Sequence, residues 1–197
     1  MKILAFSDLH LDRDVAQKLV HASDQADVVV GAGDFAVRQR GLSQVMAVLE
    51  QIKKPTVLVP GNHDDLNELK AVCATWSSVH ILHGNGTRIG GQEFFGLGYE
   101  APRSSFESWN RFLTEAEAAR MLAPCVNGSI LVTHAPPYGV ADEQANGTHE
   151  GSTAIRAAIE ERRPRLHLCG HIHHSWGRSG QIGSCSVYNL GPTENWF

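Results

Sequence analysis

Long apolar runs are absent from this 197-residue sequence. No stretch approaches the roughly 18 residues that a membrane-spanning helix requires, and the apolar start at 1–6 is too short for a signal peptide. Basic residues are not in excess either, because 17 lysines and arginines face 21 aspartates and glutamates, for a formal net charge of −4. This balance argues against a broad nucleic-acid-binding surface. We expect a cytoplasmic protein that binds neither membranes nor long nucleic acids.

Cysteine is scarce and scattered. The four residues, Cys73, Cys125, Cys169 and Cys185, show no CxxC spacing. This distribution disfavours a disulfide framework and a thiolate zinc site, and it predicts reduced thiols. Histidine, by contrast, occurs 11 times, and the positions of these histidines matter more than their number.

The first part of the sequence alternates β-branched runs with amphipathic patterns. Strands are predicted at 3–6, 27–30 and 55–59, and helices at 14–25, 42–52 and 66–73. This βαβαβα order predicts a layered sheet with helices on its faces. No linker, repeat or low-complexity tract divides the chain, so we expect a single domain over residues 1–197.

The middle of the sequence changes character. Short strands are predicted at 79–82, 87–89 and 93–97, separated by Gly84-Asn85-Gly86 and Gly90-Gly91 turns that favour antiparallel pairing. A capping box from Thr114 to Glu117 predicts a helix that extends to residue 122. Strands at 129–133 and 166–169, a helix at 152–162 and one or two strands within 182–190 complete the prediction.

Polar side chains follow the carboxyl ends of five predicted strands. They are Asp8, His10, Asp34, Asn62, His63, His134, His171 and His173. In open α/β sheets ligands bind at this edge. Carboxylate, imidazole and amide oxygen together suit first-row divalent ions, with Mn the first choice and Fe, Zn, Ni or Mg as alternatives. Seven of these eight side chains are already more ligands than one ion normally takes, whereas two ions that share a carboxylate would use them economically.

The spacing within two of these groups predicts their local geometry. In extended backbone, residues i and i+2 point to the same side. We therefore expect Asp8 and His10 to share one face, and His171 and His173 another, while the apolar residues between them enter the core. Glycine precedes three of the candidate ligands, at Gly33, Gly61 and Gly170, which predicts sharp turns and close backbone approach.

These five motifs, in this order, resemble those of calcineurin-like metallophosphoesterases. The matching segments are Asp8-x-His10, Gly33-Asp34, Gly61-Asn62-His63-Asp64, His134 and Gly170-His171-x-His173. The resemblance extends from residue 8 to residue 173, and no metal position is substituted. It implies an α/β fold, a four-layer αββα sandwich of mixed sheets with helices on the outer faces.

The resemblance also implies a centre of two divalent metal ions. The first ion would be held by Asp8, His10, Asp34 and His173. The second would be held by Asp34, Asn62, His134 and His171, with Asp34 bridging. His63 would be the catalytic residue that faces the substrate, and Asp64 is a weaker candidate for orienting it.

The activity implied is hydrolysis of a small phosphodiester or phosphomonoester by a hydroxide that bridges the two ions. His63 would stabilise the equatorial oxygens or protonate the leaving oxygen. A diester is favoured because the chain carries only a small insertion near the site. The alternative is a non-catalytic scaffold of the same fold that binds a protein partner, although the retained histidines favour the enzyme.

Two further histidines and two tryptophans lie outside the five motifs. His149, in a polar loop before the helix at 152, is predicted either to line the substrate pocket, with backbone amides of Gly151-Ser152 as further donors, or to be a solvated loop residue. His167 is predicted to be a hydrogen-bonded core residue. Trp109 and Trp176 are predicted to pack in the core or at the rim of the site, where either one could stack on a base.

Overall fold

The computed structural model describes all 197 residues and contains two β-sheets and five α-helices. The strands are β1 (Ile3–Phe6), β2 (Val28–Gly31), β3 (Thr56–Leu58), β4 (Val79–Ile81), β5 (Asn85–Ile89), β6 (Gln92–Leu97), β7 (Ile130–Thr133), β8 (Leu166–Cys169), β9 (Ser179–Ile182), β10 (Cys185–Asn189) and β11 (Asn195–Trp196). The helices are α1 (Arg13–Ser23), α2 (Leu42–Leu49), α3 (Leu66–Val72), α4 (Glu115–Leu122) and α5 (Thr153–Arg162). None of them combines the length and apolar character needed to cross a membrane.

Both sheets are mixed, and each has a parallel centre. The first sheet has the order β11-β1-β2-β3-β4, in which β1 to β4 are parallel and β11 is antiparallel at the edge. The second sheet has the order β5-β6-β7-β8-β10-β9, with antiparallel strands β5 and β9 at its edges. The carboxyl ends of parallel strands lie at the same edge of a sheet, so the loops that follow them can form one site.

The alternation of side chains along the strands produces three apolar layers. In β1, Leu4 and Phe6 belong to the cluster that includes residues of α1, α2 and α3, whereas Ile3 and Ala5 face the second sheet. In β7, Leu131 packs with residues of α4 and α5, and Ile130 faces the first sheet. The order helices, sheet, sheet, helices confirms the predicted αββα sandwich of mixed sheets.

The connection between β4 and β5 differs from the prediction. We predicted a turn over residues 84–86, but Asn85 and Gly86 already belong to β5 and pair with β6. The turn is shorter because β4 ends in the first sheet and the chain crosses directly to the second, with Gly84 at a φ of 76°. The antiparallel pairing predicted for this region is confirmed for β5 and β6, but it is wrong for β4, which pairs in parallel with β3 in the first sheet.

Two local predictions are confirmed. Thr114 caps α4 and forms a complete capping box with Glu117. All four cysteines are buried free thiols, as their spacing predicted.

His167 is a buried core residue of β8, as predicted. Its Nε2 atom lies 2.8 Å from the Thr133 hydroxyl, whose own proton is donated to the carbonyl of Ala135. The hydroxyl therefore accepts from Nε2–H, and Nδ1 has no hydrogen-bond partner. Burial lowers the pKa of His167 to about 3, because a second ring proton would place an uncompensated charge in the core.

Protonation of His167 should therefore oppose folding. The ordinary histidine pKa of about 6.5 in the unfolded chain lies above the folded value, so stability falls as the pH drops below ~6.5. From pH 7 to pH 4.5 we expect wild type to lose about 2–3 kcal/mol more stability than His167→Gln, which retains a donor for Thr133. Urea unfolding at the two pH values measures this difference, and equal losses would contradict the assignment.

Candidate metal centre

Loops at the carboxyl ends of five parallel strands bring the predicted metal-binding side chains together. Strands β1, β2 and β3 of the first sheet and β7 and β8 of the second each contribute one loop. The cluster therefore lies across the junction between the two sheets. Its members are Asp8, His10, Asp34, Asn62, His63, His134, His171 and His173.

The carboxylate of Asp34 occupies the middle of this cluster. Its Oδ2 atom lies 3.6 Å from Nε2 of His10 and 3.4 Å from Nε2 of His134. Its Oδ1 atom accepts a hydrogen bond of 2.9 Å from the backbone N–H of His63. One carboxylate thus faces donors on two sides, which is the arrangement that a bridging ligand requires.

The first side of Asp34 carries His10, His173 and Asp8. The Nε2 atoms of His10 and His173 are 3.2 Å apart, and Nε2 of His173 lies 3.9 Å from Oδ1 of Asp8. Imidazole nitrogens at this separation converge on a common point. These three side chains could hold one cation, with Asp34 beside them.

The second side of Asp34 carries Asn62, His134 and His171. Oδ1 of Asn62 lies 2.9 Å from Nε2 of His134 and 3.2 Å from Nδ1 of His171. The other ring nitrogen of His134 donates to the carbonyl of Ala32 at 2.8 Å, which directs Nε2 into the cluster. Amide oxygen, two imidazole nitrogens and the Asp34 carboxylate could hold a second cation.

The electrostatics of the cluster favour bound positive charge. Burial raises the pKa of Asp8, and the nearby charge of Asp34 raises it further. Burial alone would lower the pKa of His134, but Asp34 outweighs that effect and raises it to about 10. Two buried carboxylates therefore draw a proton onto a buried imidazole, and a divalent cation would supply that charge instead. The donor set of carboxylate, imidazole and amide oxygen, without thiolate, fits such an ion.

His63 lies beside the first group of ligands, with a nitrogen within 4.8 Å of the facing atoms of His10 and Asp34. Its Nδ1 atom accepts a 3.0 Å hydrogen bond from the backbone N–H of Arg38, so the ring proton of the neutral form resides on Nε2. Burial lowers the pKa of His63, which favours that neutral form. Its ring packs against Trp109, with 4.4 Å between centroids, which places this half-buried indole at the rim of the cluster, one of the two positions predicted for it.

Asp64 connects loops rather than orienting His63. Its carboxylate accepts hydrogen bonds of 2.8 Å from the backbone N–H groups of Ala36 and Gly61, and one of 3.3 Å from Phe35. Burial raises the pKa of Asp64 to about 6, with a further contribution from Asp34. The side chain fixes the loop after β2, which carries Asp34, against the loop after β3.

The backbone of two motifs differs from the extended geometry that we predicted. Asp8, His10 and His171 have φ values of 56°, 44° and 69°, which lie in the left-handed region. The reason is that the chain must turn directly after each strand and bind its neighbour, as Asp8 N–H does to the carbonyl of Gly33 at 2.9 Å. Leu9 and Ile172 nevertheless enter the core as expected. Such conformations cost about 1–3 kcal/mol each and cluster at functional sites.

Two glycines permit the close approach that the motifs predicted. A Cβ atom at Gly170 would lie 2.5 Å from Oδ2 of Asp8, and one at Gly61 would overlap the Asp34 carboxylate. Any side chain at either position would displace a predicted ligand.

His149 lies outside the metal cluster. Its Nδ1 atom is 2.7 Å from Oδ1 of the buried Asp142, and the residue lines a cavity of about 420 Å³ together with Arg103 and Tyr138. The backbone amides of Gly151 and Ser152, which were predicted as further donors to a substrate, are not free. The N–H of Gly151 donates to Oδ2 of Asp142 at 2.9 Å, and that of Ser152 donates to the carbonyl of Pro136 at 2.9 Å.

Trp176 has a role that the sequence did not reveal. Its indole Nε1–H donates a 3.1 Å hydrogen bond to Oδ2 of Asp8, and its ring packs on His173 with 4.2 Å between centroids. The residue therefore contacts two predicted ligands of the same ion. Only its position three residues after His173 hinted at this contact.

The family model described as calcineurin-like phosphoesterase matches residues 1–175. This chain therefore belongs to the calcineurin-like phosphoesterase family, whose members depend on metal ions. The match includes all five motifs and the complete cluster described above.

Two relatives found by sequence comparison are 26% and 28% identical to this chain. A UPF0046 protein of Caenorhabditis elegans is 26% identical over 197 residues, which covers 90% of this chain and 65% of the relative. The human metallophosphoesterase domain-containing protein 1 is 28% identical over 128 residues, covering 61% of this chain and 35% of that protein. The chain thus spans less than two thirds of the length of these relatives.

Solved structures share the fold. A Thermus thermophilus protein superimposes with a TM-score of 0.74 at 20% identity, covering 96% of this chain and 88% of the other. A dimetal phosphatase from Danio rerio has a TM-score of 0.66 at 13% identity, with 99% and 88% covered. A structure described as an archaeal phosphodiesterase has a TM-score of 0.60 at 17% identity, with 97% and 84% covered. At these identities the likeness concerns the fold alone.

The contact between Trp176 and Asp8 should affect the first ion. We expect Trp176→Phe, which retains the ring on His173 but removes the indole donor, to weaken Mn binding by about 10–100-fold. Calorimetric titration of the purified protein with Mn measures this affinity. Trp196→Phe is the matched control. This tryptophan lies in β11, at the edge of the first sheet, and the variant should bind Mn as wild type does. Equal affinity of all three proteins would contradict the proposed contact.

Proposed function

We propose that this chain is a metal-dependent phosphoesterase that hydrolyses a small phosphodiester or phosphomonoester at a centre of two divalent cations. The observation that carries this proposal is the position of the Asp34 carboxylate, whose Oδ2 atom lies 3.6 Å from Nε2 of His10 on one side and 3.4 Å from Nε2 of His134 on the other. In this proposal Asp8, His10 and His173 complete the first set. The second set is completed by Asn62, His134 and His171.

Bound cations would activate a water molecule and neutralise the charge that develops on the phosphoryl oxygens. The chain would supply the remaining functions. Asp34 would keep both ions at a fixed separation, and His63 would donate its Nε2 proton to the leaving oxygen. The backbone N–H of Arg38, 3.0 Å from Nδ1 of His63, would hold that ring in the tautomer that can donate.

We favour Mn because oxygen and imidazole donors predominate and thiolates are absent from the cluster. We also favour a diester over a monoester, since the chain carries only a small insertion near the site and His173 is half exposed. The fold neighbours include one described as a phosphodiesterase and one described as a phosphatase, so the fold accommodates both ester classes.

His149 remains our proposed contact for the organic part of the substrate. The cavity of about 420 Å³ that it lines contains both Arg103 and Ser104. Ser104 is also bonded to Glu100, whose carboxylate lies 3.6 Å from His171. The cavity and the cluster therefore share a loop, and a substrate held at the metals could extend towards His149.

A hydrolysis assay tests the proposed activity. We expect the protein to cleave bis-p-nitrophenyl phosphate faster than p-nitrophenyl phosphate when Mn is added, and to lose both activities with EDTA. The reason is that His63 cannot by itself activate water or neutralise the phosphoryl group.

The control for this assay is His63→Ala, with metal content measured in parallel. This variant should bind as much Mn as wild type but turn over about 10²–10⁴-fold more slowly, because it lacks only the proton donor. A wild-type protein that hydrolyses neither ester with any divalent metal would support the scaffold alternative. Loss of metal from His63→Ala would instead make His63 a ligand.

A further inference from the structure

A buried carboxylate lies behind the second group of proposed ligands, and it belongs to none of the five motifs. Glu100 follows β6 by three residues and is 0% exposed. Its Oε1 atom accepts 2.6 Å hydrogen bonds from Nδ2 of Asn110 and from the backbone N–H of Ser104. Its Oε2 atom accepts a 2.8 Å bond from the hydroxyl of Ser104 and lies 3.6 Å from Nε2 of His171.

Asn110 connects Glu100 to Asn62 through two hydrogen bonds. A side-chain amide can present either its oxygen or its nitrogen in nearly the same shape, and only the oxygen can bind a cation. Because the Glu100 carboxylate and the Ser105 carbonyl can only accept hydrogen bonds, Asn110 turns its Nδ2 towards both of them and its Oδ1 towards Asn62. Nδ2 of Asn62 then donates to that oxygen at 2.9 Å, which leaves Oδ1 of Asn62 facing the cluster.

The same carboxylate acts directly on His171. It faces Nε2 of the ring and so favours the tautomer that carries its proton there. Nδ1 is then the bare nitrogen, and it lies 3.2 Å from Oδ1 of Asn62. An imidazole binds a metal only through a bare nitrogen, and the partner of the other nitrogen decides which one that is.

We propose that Glu100 is a positioning residue that sets which atoms Asn62 and His171 present, and thereby makes the second site able to bind a divalent cation. The inference rests on the two-cation centre of the proposed function. Glu100 lies outside the five motifs and would support the second ion only.

The first site is supported by different residues. Asp8 accepts hydrogen bonds from the side chains of Trp176 and Ser7, neither of which contacts Glu100. It also accepts a 3.1 Å bond from the backbone N–H of His171, which involves the main chain of that residue and not the ring that faces Glu100. A change at Glu100 should therefore affect the second ion and spare the first.

Glu100→Gln tests this inference because it preserves size and shape while replacing a pure acceptor with an amide that can also donate. The matched control is Glu93→Gln, on β6 and 44% exposed, which removes the same charge. After Mn loading and removal of free metal, elemental analysis should find two ions per chain in wild type and the control, but one in Glu100→Gln. We expect the affinity for the second ion to fall about 10–100-fold.

A second measurement detects the magnetic coupling between the two ions. Paramagnetic resonance should show a coupled Mn pair in wild type and an isolated Mn ion in Glu100→Gln. The double variant Glu100→Gln/Asn110→Asp restores a pure acceptor next to Asn62, so it should recover part of the second-ion affinity. A residue needed only for packing would not be rescued in this way.

The outcomes separate the two proposals. Two ions in both wild type and folded Glu100→Gln, bound with equal affinity, would overturn the role of Glu100 alone. Fewer than two ions in wild type would overturn the two-cation centre itself. If Glu100→Gln does not fold, Asn110→Ala breaks the connection to Asn62, and unchanged second-ion affinity in that variant would overturn the inference.

Discussion

Two buried carboxylates, Asp8 and Asp34, create the constraint on which the rest of this structure depends. Each charge is expensive to bury unless donors or cations surround it. The structure meets that demand with backbone N–H groups and with imidazoles from the loops after β1, β3, β7 and β8. Among these, His134 has its pKa raised to about 10 by the neighbouring carboxylates. A centre that holds a proton on a fully buried imidazole is well suited to bind divalent cations in its place.

The scaffold explains how short loops can hold such a charged cluster in place. The five contributing strands are parallel members of two sheets whose apolar faces pack together. Their carboxyl ends are thereby fixed by apolar packing as well as by the polar contacts of the loops. Three side chains then tie the loops to one another: Asp64 through backbone amides, Trp176 through Asp8 and His173, and Glu100 through Asn110 and His171. These contacts restrict the rotamers of the proposed ligands, which favours a preorganised site.

Much of the architecture could be predicted because it depends on local patterns. β-branched runs identified the strands, the Thr114 capping box identified α4, and polar residues at strand ends identified the cluster. The left-handed backbone of Asp8 and His171 could not be predicted, since it results from hydrogen bonds between loops. The contacts of Trp176 and Glu100 were missed for a similar reason. Trp176 lies 168 positions from Asp8 in the sequence, and neither Trp176 nor Glu100 belongs to a recognisable motif.

The most direct test of this account is anomalous diffraction from crystals of the wild-type protein grown with Mn. The account predicts two anomalous peaks, about 3.5–4 Å apart, on either side of the Asp34 carboxylate. One peak should contact His10 and His173, and the other Asn62, His134 and His171. A single peak, or peaks that do not share Asp34, would contradict the claim that this carboxylate bridges two cations.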